Sequence, residues 1–75
     1  MENYYRTKDL GEASALMAKG QRLINLERKD GICWFLFEDK QKCEKLSNNF
    51  FFGELLVNAR DYQDAMTRLK NRIFA

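Results

Sequence analysis

The 75-residue chain contains no histidine and no proline, and its cysteines number two. Without histidine, Ser-His-Asp and Cys-His nucleophilic arrangements are excluded. Cys33 and Cys43 alone cannot complete the ligand shell of a structural zinc, so neither metal nor cofactor is expected. The four glycines are scattered over turn and helix positions and form no phosphate-cradling loop. No segment approaches the ~20 consecutive apolar residues of a membrane-spanning helix, and the opening residues MENYYRTKDL lack the apolar run of a signal peptide. These absences lead to the expectation of a cytoplasmic protein with reduced thiols and no membrane partner. The lack of proline, internal repeats and low-complexity tracts argues against a linker or disordered tail.

What is present is aromatic. Six phenylalanines, three tyrosines and one tryptophan stand within an apolar fraction of 45%. That is enough to close one small core over residues 1–75, and no length remains for a second domain. The net charge of +2 is too small to imply nucleic acid by itself. Carboxylate pairs such as Glu38-Asp39 and Asp9 with Glu12 fall at helix starts, where capping accounts for them. Both cysteines lie in apolar surroundings and read as inert core thiols. No catalytic residue emerges, and the chain reads as non-enzymatic.

NYYRT predicts a short strand at about 3–7 from its β-favouring residues. In KDLGEASALMAKG, Asp9 and Glu12 have the spacing of a capping box. Leu10, Ala13, Leu16 and Met17 recur at helical spacing, and Gly20 closes that helix. QRLINLERKDGICWFLFED reads as a hairpin in which Arg28-Lys29-Asp30-Gly31 forms a three-residue loop pairing Arg28 with Ile32. Counting back puts Arg22, Ile24, Leu26, Ile32, Trp34 and Leu36 on one sheet face. Leu23, Asn25, Glu27, Cys33, Phe35 and Phe37 take the other. Residues 32–37 are apolar on both sides, the mark of a central strand. The first three strands therefore predict a split β-α-β with a right-handed crossover.

Asp39 caps a second helix whose stripe is Cys43, Leu46 and Phe50. ELLV is an extended connection or a brief fourth strand. Asn58 caps a final helix over 59–73, with Tyr62, Ala65, Met66, Leu69 and Ile73 toward the core and an Asp64–Arg68 pair on its flank. The expected fold is α+β, in the order β-α-β-β-α-α, with a three-stranded sheet packed by three helices. Three adjacent phenylalanines, Phe50, Phe51 and Phe52, would span about 200° of a helix, wider than a core-facing stripe. Phe50 is thus expected to end the stripe, the helix to fray at 51–52, and Gly53 to turn the corner. Phe51 and Phe52 would then plug the seam to the next element, with a contact site as the secondary reading.

If three short helices cover one sheet face only, the other exposes either Phe35, Phe37 and Leu23, or Trp34, Leu36, Ile24 and Leu26. The competing expectation is that the last helix wraps to the second face. A second surface is basic: Arg60, Arg68, Lys70 and Arg72 gather toward the C-terminus, where either a helix dipole or a phosphate backbone would favour them. An aromatic sheet face with Tyr4, Tyr5 and Arg6 beside it also has the makings of a base-stacking platform, but Glu27, Glu38 and Asp39 crowd it.

The segments YYRTKDL, AKGQRLINLE, FLFED, GELLVNAR and LKNRI, in this order and spacing, resemble a family of short uncharacterised proteins of bacteria and their mobile elements, a domain of unknown function. The resemblance spans nearly the whole chain and departs from the family pattern at Ala59, where proline is common. It implies a compact, non-secreted, intracellular domain and carries over no catalytic or binding residue. The family's Phe-x-Phe pattern implies that Phe35 and Phe37 face the core, leaving Trp34, Ile24 and Leu26 to be covered. The functional expectation is a non-enzymatic protein-binding module that pairs as a homodimer or with another protein. Its candidate contacts are Trp34, Leu36, Ile24, Leu26, Phe51 and Phe52. The alternative is a nucleic-acid-binding accessory protein using Arg60, Arg68, Lys70 and Arg72.

Overall fold

The computed structural model describes residues 3–74. Its elements run β1 (Tyr4–Thr7), α1 (Leu10–Ala18), β2 (Leu23–Lys29), β3 (Ile32–Glu38), α2 (Lys40–Phe51) and α3 (Ala59–Ile73). The sheet order is β1-β3-β2, and both pairings with β3 are antiparallel. The α+β class, the element order and the central third strand are thus as the sequence predicts. ELLV forms no strand.

The helices start where capping chemistry places them. Asp9, Asp39 and Asn58 each accept a hydrogen bond from the backbone N–H three residues on. The capping box at α1 is only half formed. Asp9 N–H donates to Thr7 Oγ1 at 3.2 Å, and the Glu12 carboxylate turns inward instead. At the other end of α1, Gly20 has φ of 90° and Gln21 N–H donates to Leu16 C=O, the closure expected of a left-handed cap.

The core forms on one face of the sheet. Phe35 and Phe37 point into a cluster with Ala13 and Leu16 of α1, Cys43 of α2 and Leu69 of α3. Residues 13–16 of α1 are all buried, and four successive positions sweep about 300° of a helix surface. That burial follows from the placement of α1, which packs against both α2 and α3 on the core side of the sheet. Ser14, buried in this stretch, satisfies its hydroxyl on Leu10 C=O at 2.8 Å. α3 therefore packs on the core side and does not wrap around the sheet, so the described helices leave the second face uncovered.

The hairpin differs from the expected loop. Lys29 pairs with Ile32, leaving a two-residue turn of Asp30 and Gly31 with φ of 53° and 78°. Positive φ at both positions is the turn whose twist matches the strands it joins, and aspartate followed by glycine tolerates it. The register of β2 consequently moves by one residue, placing Leu26 opposite Phe35 and Glu27 opposite Trp34. A bulge between Leu23 and Asn25 absorbs the shift, so that Leu23 still faces Phe37 as predicted. Leu26 is therefore a core-side residue, and Asn25 and Glu27 belong to the uncovered face.

Candidate functional site

The uncovered face is built by alternation along β3. Phe35 and Phe37 point inward, so Ile32, Trp34 and Leu36 point outward. The register brings Arg6 and Asn25 to either side of Leu36, Glu27 beside Trp34, Lys29 beside Ile32, and Tyr4 beside Glu38. Arg6 Nη2 and Glu27 Oε1 stand 3.9 Å apart, reaching toward each other from the two flanking strands. Lys8 Nζ lies 5.9 Å from the centroid of the Trp34 ring, within cation–π range. Leu36 is only 6% exposed although no helix lies over it. Its neighbours in the register and the stems of the charged side chains supply the cover. Ile32 and Tyr4 remain exposed, Trp34 is half-buried, and a shallow hollow of about 200 Å³ opens between Arg6, Glu27, Lys29 and Trp34.

Of the sequence-predicted contacts, Trp34 and Leu36 share this face. Ile24 is exposed at the bulge near its edge, and Leu26 lies on the opposite side against the core. The phenylalanine corner also differs from expectation. α2 continues through Phe51, Phe52 caps it, and Gly53 turns the chain with φ of 73°. Phe51 and Phe52 are not plugs: they are 81% and 70% exposed, packed edge to face on each other at 5.3 Å. Leu56, at 85% exposure, adds to the same connection. Phe50 alone of the three phenylalanines turns inward, its ring end near Gly11 and the Tyr62 hydroxyl.

The basic residues of α3 do not form a single stripe: Arg60, Arg68 and Arg72 lie within about 120° of the helix surface, and Lys70 stands apart. Arg60, Arg68, Lys70 and Arg72 are all exposed, but Lys70 projects about 160° around the helix from Arg68 and from Arg72. Arg68 borders a hollow that also holds Asp61 and Asp64, and it makes no ion pair with Asp64 among the described residues.

Sequence reasoning gave Glu12 a capping role, and the structure gives it another. Its Oε2 accepts from Tyr5 OH and from Ser47 Oγ, both at 2.6 Å, and its Oε1 accepts from Thr7 Oγ1 at 2.7 Å. One carboxylate thus ties β1, α1 and α2 together. Burial, followed by the hydrogen bond to Glu12, pushes the Tyr5 hydroxyl up to about 12. The available signal was alternation: Tyr5 and Thr7 share the inward face of β1, and Glu12 lies in the first turn of the helix that follows. Cys43 has no accessible surface, and burial together with the charge of Asp39 pushes its thiol up to about 11. A thiol so protonated at neutral pH is a poor nucleophile or ligand. No group of three or more Cys, Asp or Glu residues suited to a metal occurs among the described residues. No helix among them is long and apolar enough to cross a membrane.

Fold and face together define a small split β-α-β domain with its helices on one side and an open, mixed aromatic and charged sheet surface on the other. The model of a family described as a domain of unknown function, DUF5659, matches residues 2–75, and the chain belongs to that family. No curated protein and no solved structure matches it.

Proposed function

We propose that this protein is a non-enzymatic cytoplasmic interaction module that pairs through the uncovered sheet face, its first partner a second copy of itself. The observation that carries this reading is the outward pair Ile32 and Trp34, flanking an already covered Leu36, on a strand whose other face packs Phe35 and Phe37 into the core. Its rim holds charges of both signs, Arg6, Lys8 and Lys29 with Glu27, as a patch that must complement itself across a two-fold axis requires. Strand spacing and rise give the face a plan area of roughly 300 Å², which places such a pair in the weak, reversible class.

Light scattering coupled to size exclusion at several concentrations tests it. A mass rising from one chain to two with concentration is expected, with Trp34→Ala held at one chain and its circular dichroism unchanged. Ile32→Glu, at an exposed position, gives the same readout without touching the core. A single-chain mass at every concentration overturns self-association. The nucleic-acid alternative through Arg60, Arg68, Lys70 and Arg72 requires an affinity that falls steeply with salt, and the divergence of Lys70 from the other three around α3 disfavours it.

A further inference from the structure

Strand β2 is an edge strand, and its outer edge adjoins the C-terminal end of α3. Lys29 and Ile32 close the two-residue turn as a hydrogen-bonded pair, and Glu27 with Trp34 is the next such pair. The backbone groups of Leu26 and Arg28 therefore point away from the sheet. One of them is already occupied: Leu26 N–H donates to Asn25 Oδ1 at 2.9 Å, a side chain standing in for a missing strand. Beside this edge lies a hollow of about 240 Å³, lined by residues 23–26 and by Arg72. Arg28 crosses to the end of α3 and donates to Ile73 C=O, whereas Arg72 makes no hydrogen bond or ion pair among the described residues. Arg28 and Arg72 thus flank the helix side of an edge whose acidic neighbours are Glu27, turned with Lys29 to the outer face toward Arg6, and Asp30 at the turn.

We propose that the β2 edge receives an extended acidic segment of a partner protein as a fourth strand, with a carboxylate of that segment seated against Arg72. Main-chain hydrogen bonds to Leu26 and Arg28 supply the pairing, and the cations on the helix side of the edge select acidic residues at alternate positions. Asn25 is the competitor that the incoming strand displaces. This surface is separate from the outward row around Trp34.

The test is a titration of the isotope-labelled protein with a capped hexapeptide alternating valine and glutamate, read at the backbone amides. The expected result is a shift confined to residues 22–29 and the end of α3, absent for the valine–lysine peptide. Arg72→Gln should weaken binding at least fivefold. Asn25→Ala should tighten it severalfold, because the Leu26 donor is freed. Trp34→Ala should leave it unchanged, so this proposal and the sheet-face reading fail independently. No shift at millimolar peptide, equal binding of the lysine peptide, or indifference to both Arg72→Gln and Asn25→Ala overturns the proposal. So does a peptide-free dimer whose Leu26 and Arg28 amides are already protected from exchange, which would make the occupant a second copy.

Discussion

At the scale of single residues, Glu12 holds more of the structure than its place in a helix start implies. Its carboxylate accepts three hydroxyl hydrogen bonds from two other elements, and bonds to a charged acceptor are the stronger kind. Glu12→Ala removes the acceptor of the Thr7 and Ser47 hydroxyls, while Tyr5 OH keeps Ser47 Oγ at 2.9 Å, and a loss of about 2 kcal/mol in unfolding free energy is expected. Urea denaturation measures it; a change below about 0.5 kcal/mol would show that water replaces the carboxylate without cost. Tyr5 and Cys43 also make stability depend on alkaline pH. Both groups are raised, Tyr5 from 10.0 to about 12 and Cys43 from 9.0 to about 11, chiefly by burial. The folded state therefore holds these protons more tightly than the unfolded chain. Their contribution is complete below pH 9.0 and is lost as pH rises toward about 12. The urea midpoint should fall between pH 8 and pH 11, less so in Tyr5→Phe, whereas a flat profile contradicts the assignment.

At the scale of elements, the boundaries follow local chemistry and the faces do not. Asp39 is a cap in an unusual backbone state, with φ of 65° while its side chain accepts from Lys42 N–H. Asn tolerates both demands, so Asp39→Asn should be close to neutral. Asp39→Ala loses the cap and the short polar side chain that eases the left-handed backbone, for about 2 kcal/mol. Thermal unfolding of the pair decides it, and equal melting points would refute the joint role. The α2 corner gives a sharper contrast. Since Phe51 and Phe52 are exposed, Phe51→Ser with Phe52→Ser should change stability by less than about 0.5 kcal/mol. A large loss would restore them as plugs. Three adjacent phenylalanines left their destination open in sequence because the end of a helix does not dictate direction; here Phe50 alone reached Gly11 and Tyr62.

At the scale of the whole molecule, the open sheet face and the β2 edge are the surfaces on which function is proposed, and they were legible to different degrees. The alternation of residues 32–37 already announced a central strand with apolar residues on both sides, and Trp34 and Leu36 were assigned to one face because period-two alternation needs no knowledge of the turn. Leu26 was misplaced because its face depends on loop length: a two-residue turn in place of three moves the partner strand by one position. The bulge at Ile24 and Asn25, the self-capped Leu26 N–H and the approach of Arg72 to that edge follow from this register and from the docking of α3, neither of which local pattern encodes. By itself the sequence determined the elements, their caps and the strand order, since each depends on residues close together in the chain or on their alternation. Which face stayed open, where Glu12 pointed and which phenylalanine turned inward were decided by tertiary packing, because each depends on what a distant element had already occupied.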